Sequence, residues 1–317
     1  MMPALLSPET GSLSCPPAEA SAHAWMPHSP CGPSCVDAPA EAGTLRVAAR
    51  IAGIAGVLLS FPIAHYATPR RRRAGLQRRY ARALLACCGI RVRIVDNRAP
   101  DDRREGGVLM VARHIGWTDI VALTAVEPVS FVARADMVEW PMLGDVAKRV
   151  RVIPIERERL RQLPSVIATM ADRLRAGERV TFFPEGTTWC GRAHGRLRPA
   201  LFQAAIDSDT PVQPIRLRYL DRAGDLSTIP GFVGIDSLAD SIRRVLRSKG
   251  VVAEIALQPQ LLPDTDRHEL ARRCEQTLEG DTVARAFTDV IHGSEHLEAV
   301  GTGADRRAEA PRATAGK

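Results

Sequence analysis

The feature that most restricts the fold of this chain is an alternation running from residue 90 to about residue 260. Short apolar runs at 91–96, 107–113, 129–133, 152–156, 179–183, 212–219 and 251–258 have the length and composition of strands, and helix-like runs separate most of them. The clearest helix spans 163–174, where Leu163, Val166, Ile167, Met170 and Leu174 recur at helical spacing and Gly177 supplies the stop. Strands joined through helices cannot pair as simple hairpins. They predict an α/β layer fold, a mostly parallel sheet flanked by helices.

The flanks differ in kind. Residues 1–44 are rich in Pro, Ala, Ser and Gly, show no apolar period, and read as a disordered leader. They lack the basic start and apolar stretch of a secretory signal. Cys15, Cys31 and Cys35 lie in this leader with His23 and His28, and read as incidental, because Pro-rich flanks do not easily build a closed tetrahedral metal site. The chain has seven cysteines, an odd number at irregular spacing, which argues for free thiols in a reducing compartment.

From 45 to 89 the chain reads as two membrane-associating helices. Residues 51–67 carry almost no charge, with Pro62 expected to kink them, and Arg70, Arg71, Arg72 and Arg73 follow at once, then Arg78, Arg79 and Arg82. Residues 75–89 place Leu76, Tyr80, Leu84 and Cys87 on one helical face. Arg clusters beside an apolar segment mark the cytoplasmic face and attract anionic headgroups. The alternative is a buried core helix followed by a solvated basic stretch. An α/β domain over 90–293 and a disordered tail over 294–317 complete the organisation. The net charge of +7 suits an anionic membrane surface or anionic substrates. Nucleic acid is a poor partner: there is no zinc-finger spacing, no heptad run after a basic region, and only 4% aromatic residues for stacking.

Four elements carry chemistry. His114-Ile-Gly-Trp-Thr-Asp119 follows the 107–113 run, so an imidazole and a carboxylate lie where a strand ends and a helix opens, the usual position of ligands in open α/β sheets. A neutral imidazole can take a proton from an alcohol while a carboxylate on its other nitrogen fixes the tautomer. Phe183-Pro-Glu-Gly-Thr-Thr188 follows another strand-like run; Gly186 permits an unusual turn, and Thr187 with free N–H groups can meet an anion, although a plain strand-to-loop turn fits equally. Between them, the 152–156 strand leads into Arg157, which can hold a phosphate bidentately or serve as a surface ion-pair partner. Thr210-Pro-Val-Gln-Pro-Ile215, with two prolines, reads on its own as an edge strand.

In this order and spacing the four elements resemble the glycerolipid acyltransferase family typified by bacterial 1-acylglycerol-3-phosphate acyltransferases, over about residues 107–218. The resemblance implies transfer of a fatty acyl group from acyl-CoA or acyl-ACP to the free hydroxyl of 1-acylglycerol-3-phosphate, giving phosphatidic acid. His114 is then the general base, Asp119 orients it, and Arg157, Glu185, Gly186, Thr187 and Thr188 bind or frame the acceptor's phosphate end. No acyl-enzyme, cofactor or metal is implied. The partners are a lysophospholipid, the acyl donor and the cytoplasmic face of an anionic membrane. Three positions depart from the family pattern: Arg113 stands for Asn, Gly116 for Ser, and Thr188 for an Arg that contacts phosphate. Arg113, Arg192, Arg196 or Arg198 can substitute for that cation, or the acceptor is another lysolipid. The Glu-Gly-Thr-Thr variant resembles members that acylate lyso-ornithine lipid.

Rival classes lack their residues. No G-x-S-x-G marks a serine hydrolase, Gly53 and Gly56 lie in the apolar run rather than between strand and helix, and His292 and His296 have no evident third metal ligand. A non-enzymatic membrane-surface protein is the remaining alternative. The acyl chains are expected near residues 137–143 or the N-terminal helices.

Overall fold

The computed structural model describes residues 27–39, 41–103, 106–135, 152–156 and 159–279. Each strand-like run becomes a strand: β1 Ile90–Asp96, β2 Val108–Ala112, β3 Ser130–Arg134, β4 Ile153–Ile155, β5 Arg179–Phe182, β6 Val212–Leu220 and β7 Val251–Leu257. They form one seven-stranded sheet in the order β1-β7-β6-β2-β5-β3-β4. All neighbours are parallel except β6 and β7, which run antiparallel. The helices are α1 Thr44–Ala67, α2 Arg73–Cys87, α3 Trp117–Val126, α4 Leu163–Arg175, α5 Gln203–Ser208 and α6 Leu238–Arg247, with α7 over 267–279.

The two-residue period of β2 divides the core. Val108, Met110 and Ala112 pack with α2, α3 and α6 through Leu85, Leu123, Val245 and Leu246. Leu109 and Val111 pack on the other face with α4, α5 and α7 through Met170, Leu174, Ala204 and Leu270. All five β2 residues are buried, as a parallel strand covered on both faces requires. The Ala112 end of β2 is thereby fixed at the centre of the sheet, and the chain leaving it carries His114.

β6 corrects the edge-strand expectation: it lies inside the sheet, between β2 and β7. Pro214 accepts from the Gln258 backbone N–H at 3.0 Å but has no N–H to return. The Gln213 side-chain amide donates to the Gln258 carbonyl instead, and also to the Pro214 carbonyl at 3.1 Å. A side chain thus replaces the missing backbone donor, and a proline becomes tolerable in an interior strand.

Within the leader, the described residues depart from the expected disorder. Residues 27–39 form ordered turns against the domain, with a short 3₁₀ helix at Pro33–Cys35. Asp37 accepts from Thr228 N at 3.1 Å and from Arg192 at 2.7 Å, and its own N–H donates to Thr228 Oγ1 at 2.7 Å. Ala42 N donates to the Arg247 carbonyl at 2.7 Å. These partners lie far away in sequence, so a search for local periodicity cannot see them.

α1 runs unbroken through Pro62 over 24 residues, long and apolar enough to cross a membrane by length and composition, and none of its most apolar window is buried. Leu59 and Ile63 are 73% and 74% exposed. α1 rests on α2: the Phe61 and Tyr80 rings meet edge-on at 5.2 Å, and a Cβ on Gly53 would lie 2.8 Å from Cys87 Sγ. Arg50 ties its first turns to the domain through the carbonyls of Leu246 at 2.6 Å and Ser248 at 2.8 Å. Ala81 and Leu85 sink α2 into the core.

Candidate active site

Leaving β2, the chain turns through Arg113, His114, Ile115 and Gly116 before α3 begins at Trp117. Asp119 is the third residue of α3 and is fully buried. Its Oδ2 accepts from His114 Nδ1 at 2.9 Å, Ile115 N at 2.6 Å and Gly116 N at 3.0 Å. Its Oδ1 accepts from Tyr219 Oη at 2.8 Å. The carboxylate therefore caps the helix and holds the whole His114 turn, with the positive end of the helix dipole favouring its charge. With Asp119 as acceptor, the His114 proton sits on Nδ1 and Nε2 keeps its lone pair. Burial and the neighbouring Asp119 push the Tyr219 phenol well above its usual range, so it stays a hydrogen donor.

The two motifs form one structure. The His114 ring stacks on Phe183, with centroids 4.0 Å apart and planes 9° from parallel. His114 N–H donates to Glu185 Oε2 at 2.8 Å, and the His114 carbonyl accepts from Trp189 N at 2.8 Å. Glu185, whose side chain is 0% exposed, also accepts from Gly195 N at 2.9 Å and from Arg113 at 3.3 Å. Burial raises its pKa, against these donors. Its carboxylate is enclosed by scaffold groups. Gly186 turns with φ +73°, and a Cβ there would meet Pro27 at 2.6 Å.

Thr187 and Thr188 are half-buried in the following turn. The Thr188 hydroxyl donates to the Phe232 carbonyl, and Phe232 N donates to the Ile115 carbonyl at 2.9 Å. The loop around Phe232 thus lies directly over the His114 turn. Gly116 permits this approach, because a Cβ there would stand 2.3 Å from the Pro230 carbonyl oxygen. Arg244 holds the loop through the Ile229 carbonyl at 3.0 Å and Asp236 at 2.8 Å. Arg113 is paired with Glu185 and, at 2.9 Å, with Glu279.

Of the residues singled out in the sequence, His114, Asp119, Glu185, Gly186, Thr187 and Thr188 come together here. Arg157 and residues 137–143 lie outside the described residues. Sequence reasoning missed Tyr219, which stands at the end of β6 with no motif around it, and the 228–234 loop, which has no period. A histidine with a free Nε2, fixed by a buried carboxylate at the end of a parallel strand, can take a proton from a hydroxyl.

Fold and paired motifs point to the acyl-transfer class, and comparison with known proteins agrees. The Acyltransferase family model matches residues 90–218. The lyso-ornithine lipid O-acyltransferase of Pseudomonas aeruginosa is 32% identical over 216 residues, 67% of this chain and 79% of that protein. The 1-acyl-sn-glycerol-3-phosphate acyltransferase of Neisseria gonorrhoeae is 29% identical over 181 residues, 56% of this chain and 71% of that one. Among solved structures, the 1-acyl-sn-glycerophosphate acyltransferase PlsC of Thermotoga maritima shares the fold with a TM-score of 0.56 at 15% identity, covering 76% of this chain and 95% of that one. The chain belongs to the lysolipid acyltransferase family.

Proposed function

We propose that the protein transfers a fatty acyl group from acyl-CoA or acyl-ACP to the free hydroxyl of lyso-ornithine lipid at a membrane surface. His114 Nε2 takes the proton of the acceptor hydroxyl as its oxygen attacks the thioester carbonyl. The C–S bond then breaks, and the thiolate leaves with the proton carried by His114. Asp119 keeps the imidazole oriented and offsets its charge while protonated, and Glu185 fixes the backbone that carries it. The exposed apolar side of α1 and the Arg-rich start of α2 dock the enzyme on anionic lipid.

The observation that carries the choice of acceptor is the missing cation at position 188. Thr188 carries no charge, and its hydroxyl is spent on Phe232. Of the four nearby arginines, Arg113 serves two glutamates and Arg192 serves Asp37, while Arg196 and Arg198 are exposed. A phosphate monoester needs cations to offset its charge, whereas an ornithine headgroup brings its own ammonium. The lyso-ornithine lipid acyltransferases of P. aeruginosa and Rhizobium meliloti also align over 67% and 77% of this chain, against 56% for the Neisseria gonorrhoeae relative. The second reading, acylation of 1-acylglycerol-3-phosphate to phosphatidic acid, is favoured by the Neisseria relatives.

The test is acyl transfer by membrane-extracted protein, with His114→Ala as control, from acyl-CoA and acyl-ACP to both acceptors. Transfer to lyso-ornithine lipid in preference to 1-acylglycerol-3-phosphate is expected. The reverse preference moves the acceptor and keeps the mechanism, and transfer unaffected by His114→Ala removes the mechanism.

A further inference from the structure

Three thiols from two segments far apart in sequence converge beside the candidate active site. Cys31 and Cys35 bracket the turn of the leader, and Cys190 follows the Trp189 whose N–H holds the His114 carbonyl. Their sulfur atoms all lie within 4.8 Å of one another. None of the three is in a disulfide. Cys31 and Cys190 are each 2% exposed, Cys35 is half-buried, and Val36, Trp189, Ala193 and Val233 close around them.

We propose that Cys31, Cys35 and Cys190 form a structural zinc site that fastens the leader to the active-site loop. Tetrahedral zinc with sulfur ligands at about 2.3 Å places those sulfurs about 3.8 Å apart, so the cluster needs only a small contraction to close on the ion. An all-sulfur donor set selects a soft or borderline metal over magnesium or calcium. The N–H groups of Arg192 and Ala193 hydrogen-bond the Cys190 sulfur, through a turn that Gly191 makes at φ +93°. Such N–H contacts orient a metal-bound sulfur and offset its charge. Cys35 is the least buried of the three and sets the solvent side of the site, toward which the fourth coordination position would face.

The site has a mechanical consequence. Besides the thiols, Asp37 ties residues 27–39 to this region through Thr228 and Arg192. A metal across Cys31, Cys35 and Cys190 would lock the leader to the segment that grips His114. A Cβ on Gly191 would lie 3.4 Å from Ile115, so the cluster reaches the histidine turn through one side chain.

The experiment is metal analysis of the full chain purified under reducing conditions, with free thiols counted by mass spectrometry. About one zinc per chain is expected. Cobalt exchanged into the site should show sulfur-to-cobalt charge-transfer absorption. Cys35→Ser and Cys190→Ser should lose metal and absorption together, whereas Cys274→Ser, a buried thiol outside the cluster, should keep both. If Cys190→Ser does not fold, the half-buried Cys35 carries the test. Reduced protein that neither holds zinc nor takes up cobalt overturns the proposal, as does a disulfide between any two of the three.

Discussion

Asp119 has four donors and no solvent, so its role differs from that of the histidine it holds. His114→Ala removes the proton acceptor, together with the ring stacked on Phe183 and one donor to Asp119. Acyl transfer should fall by about 10²–10⁴-fold in kcat with folding intact, as read by initial rates alongside circular dichroism. Tyr219→Phe deletes one donor to a buried carboxylate. A hydrogen bond to a charged group is worth about 1.5–3 kcal/mol, and chemical denaturation should show a loss of that order with a smaller loss of kcat. Equal losses of kcat in the two variants would contradict this division. At this scale the sequence shows His114 and Asp119 plainly, because five positions of spacing bring them into contact across one helix start. It shows Glu185 but not its task, which is set by the His114 and Gly195 amides. Tyr219 is invisible, since its partner lies 100 residues away.

Strands were legible because apolar runs of strand length are punctuated by helices, and every run found a place in the sheet. Their order was not, and β6 is the clearest case: Pro214 marks it as an edge until Gln213 is seen to supply the absent donor. The neighbouring pairing carries a charge ladder. Glu254 on β7 stands in register with Arg93 on β1 and Arg218 on β6, 2.7 Å from Arg93 in space. Burial pushes its carboxyl up, but the two guanidiniums outweigh that and hold it below the usual 4.5. A depressed folded-state value stabilises the protein above the unfolded value and ceases to do so as pH falls through the folded one. Thermal unfolding followed from neutral pH downward should therefore lose stability below about pH 4.5, and Glu254→Gln should flatten that part of the curve. An unchanged slope in the variant would assign the acid sensitivity elsewhere.

On the scale of the molecule, the sheet and its two helical layers form one unit, and α1 carries an apolar face the domain does not cover. Removing residues 44–67 should abolish flotation with anionic vesicles, whereas replacing Arg70, Arg71, Arg72 and Arg73 by Gln should weaken it mainly at low salt. Flotation that survives the deletion would place the docking surface elsewhere. The basic, apolar stretch was readable from composition; the order of residues 27–39 was not, because their cohesion comes from isolated Cys and Asp contacts.

The His114 backbone is gripped at both its N–H and its carbonyl by the segment that carries Glu185 and Trp189. The two blocks therefore work as a matched pair in this fold. Exchanging one block alone with a relative should misfit and lose transfer, whereas exchanging both should restore it, with acceptor preference following the pair as read by product analysis. Changes of acceptor within this scaffold should then need paired substitutions, with single ones at either block costing activity.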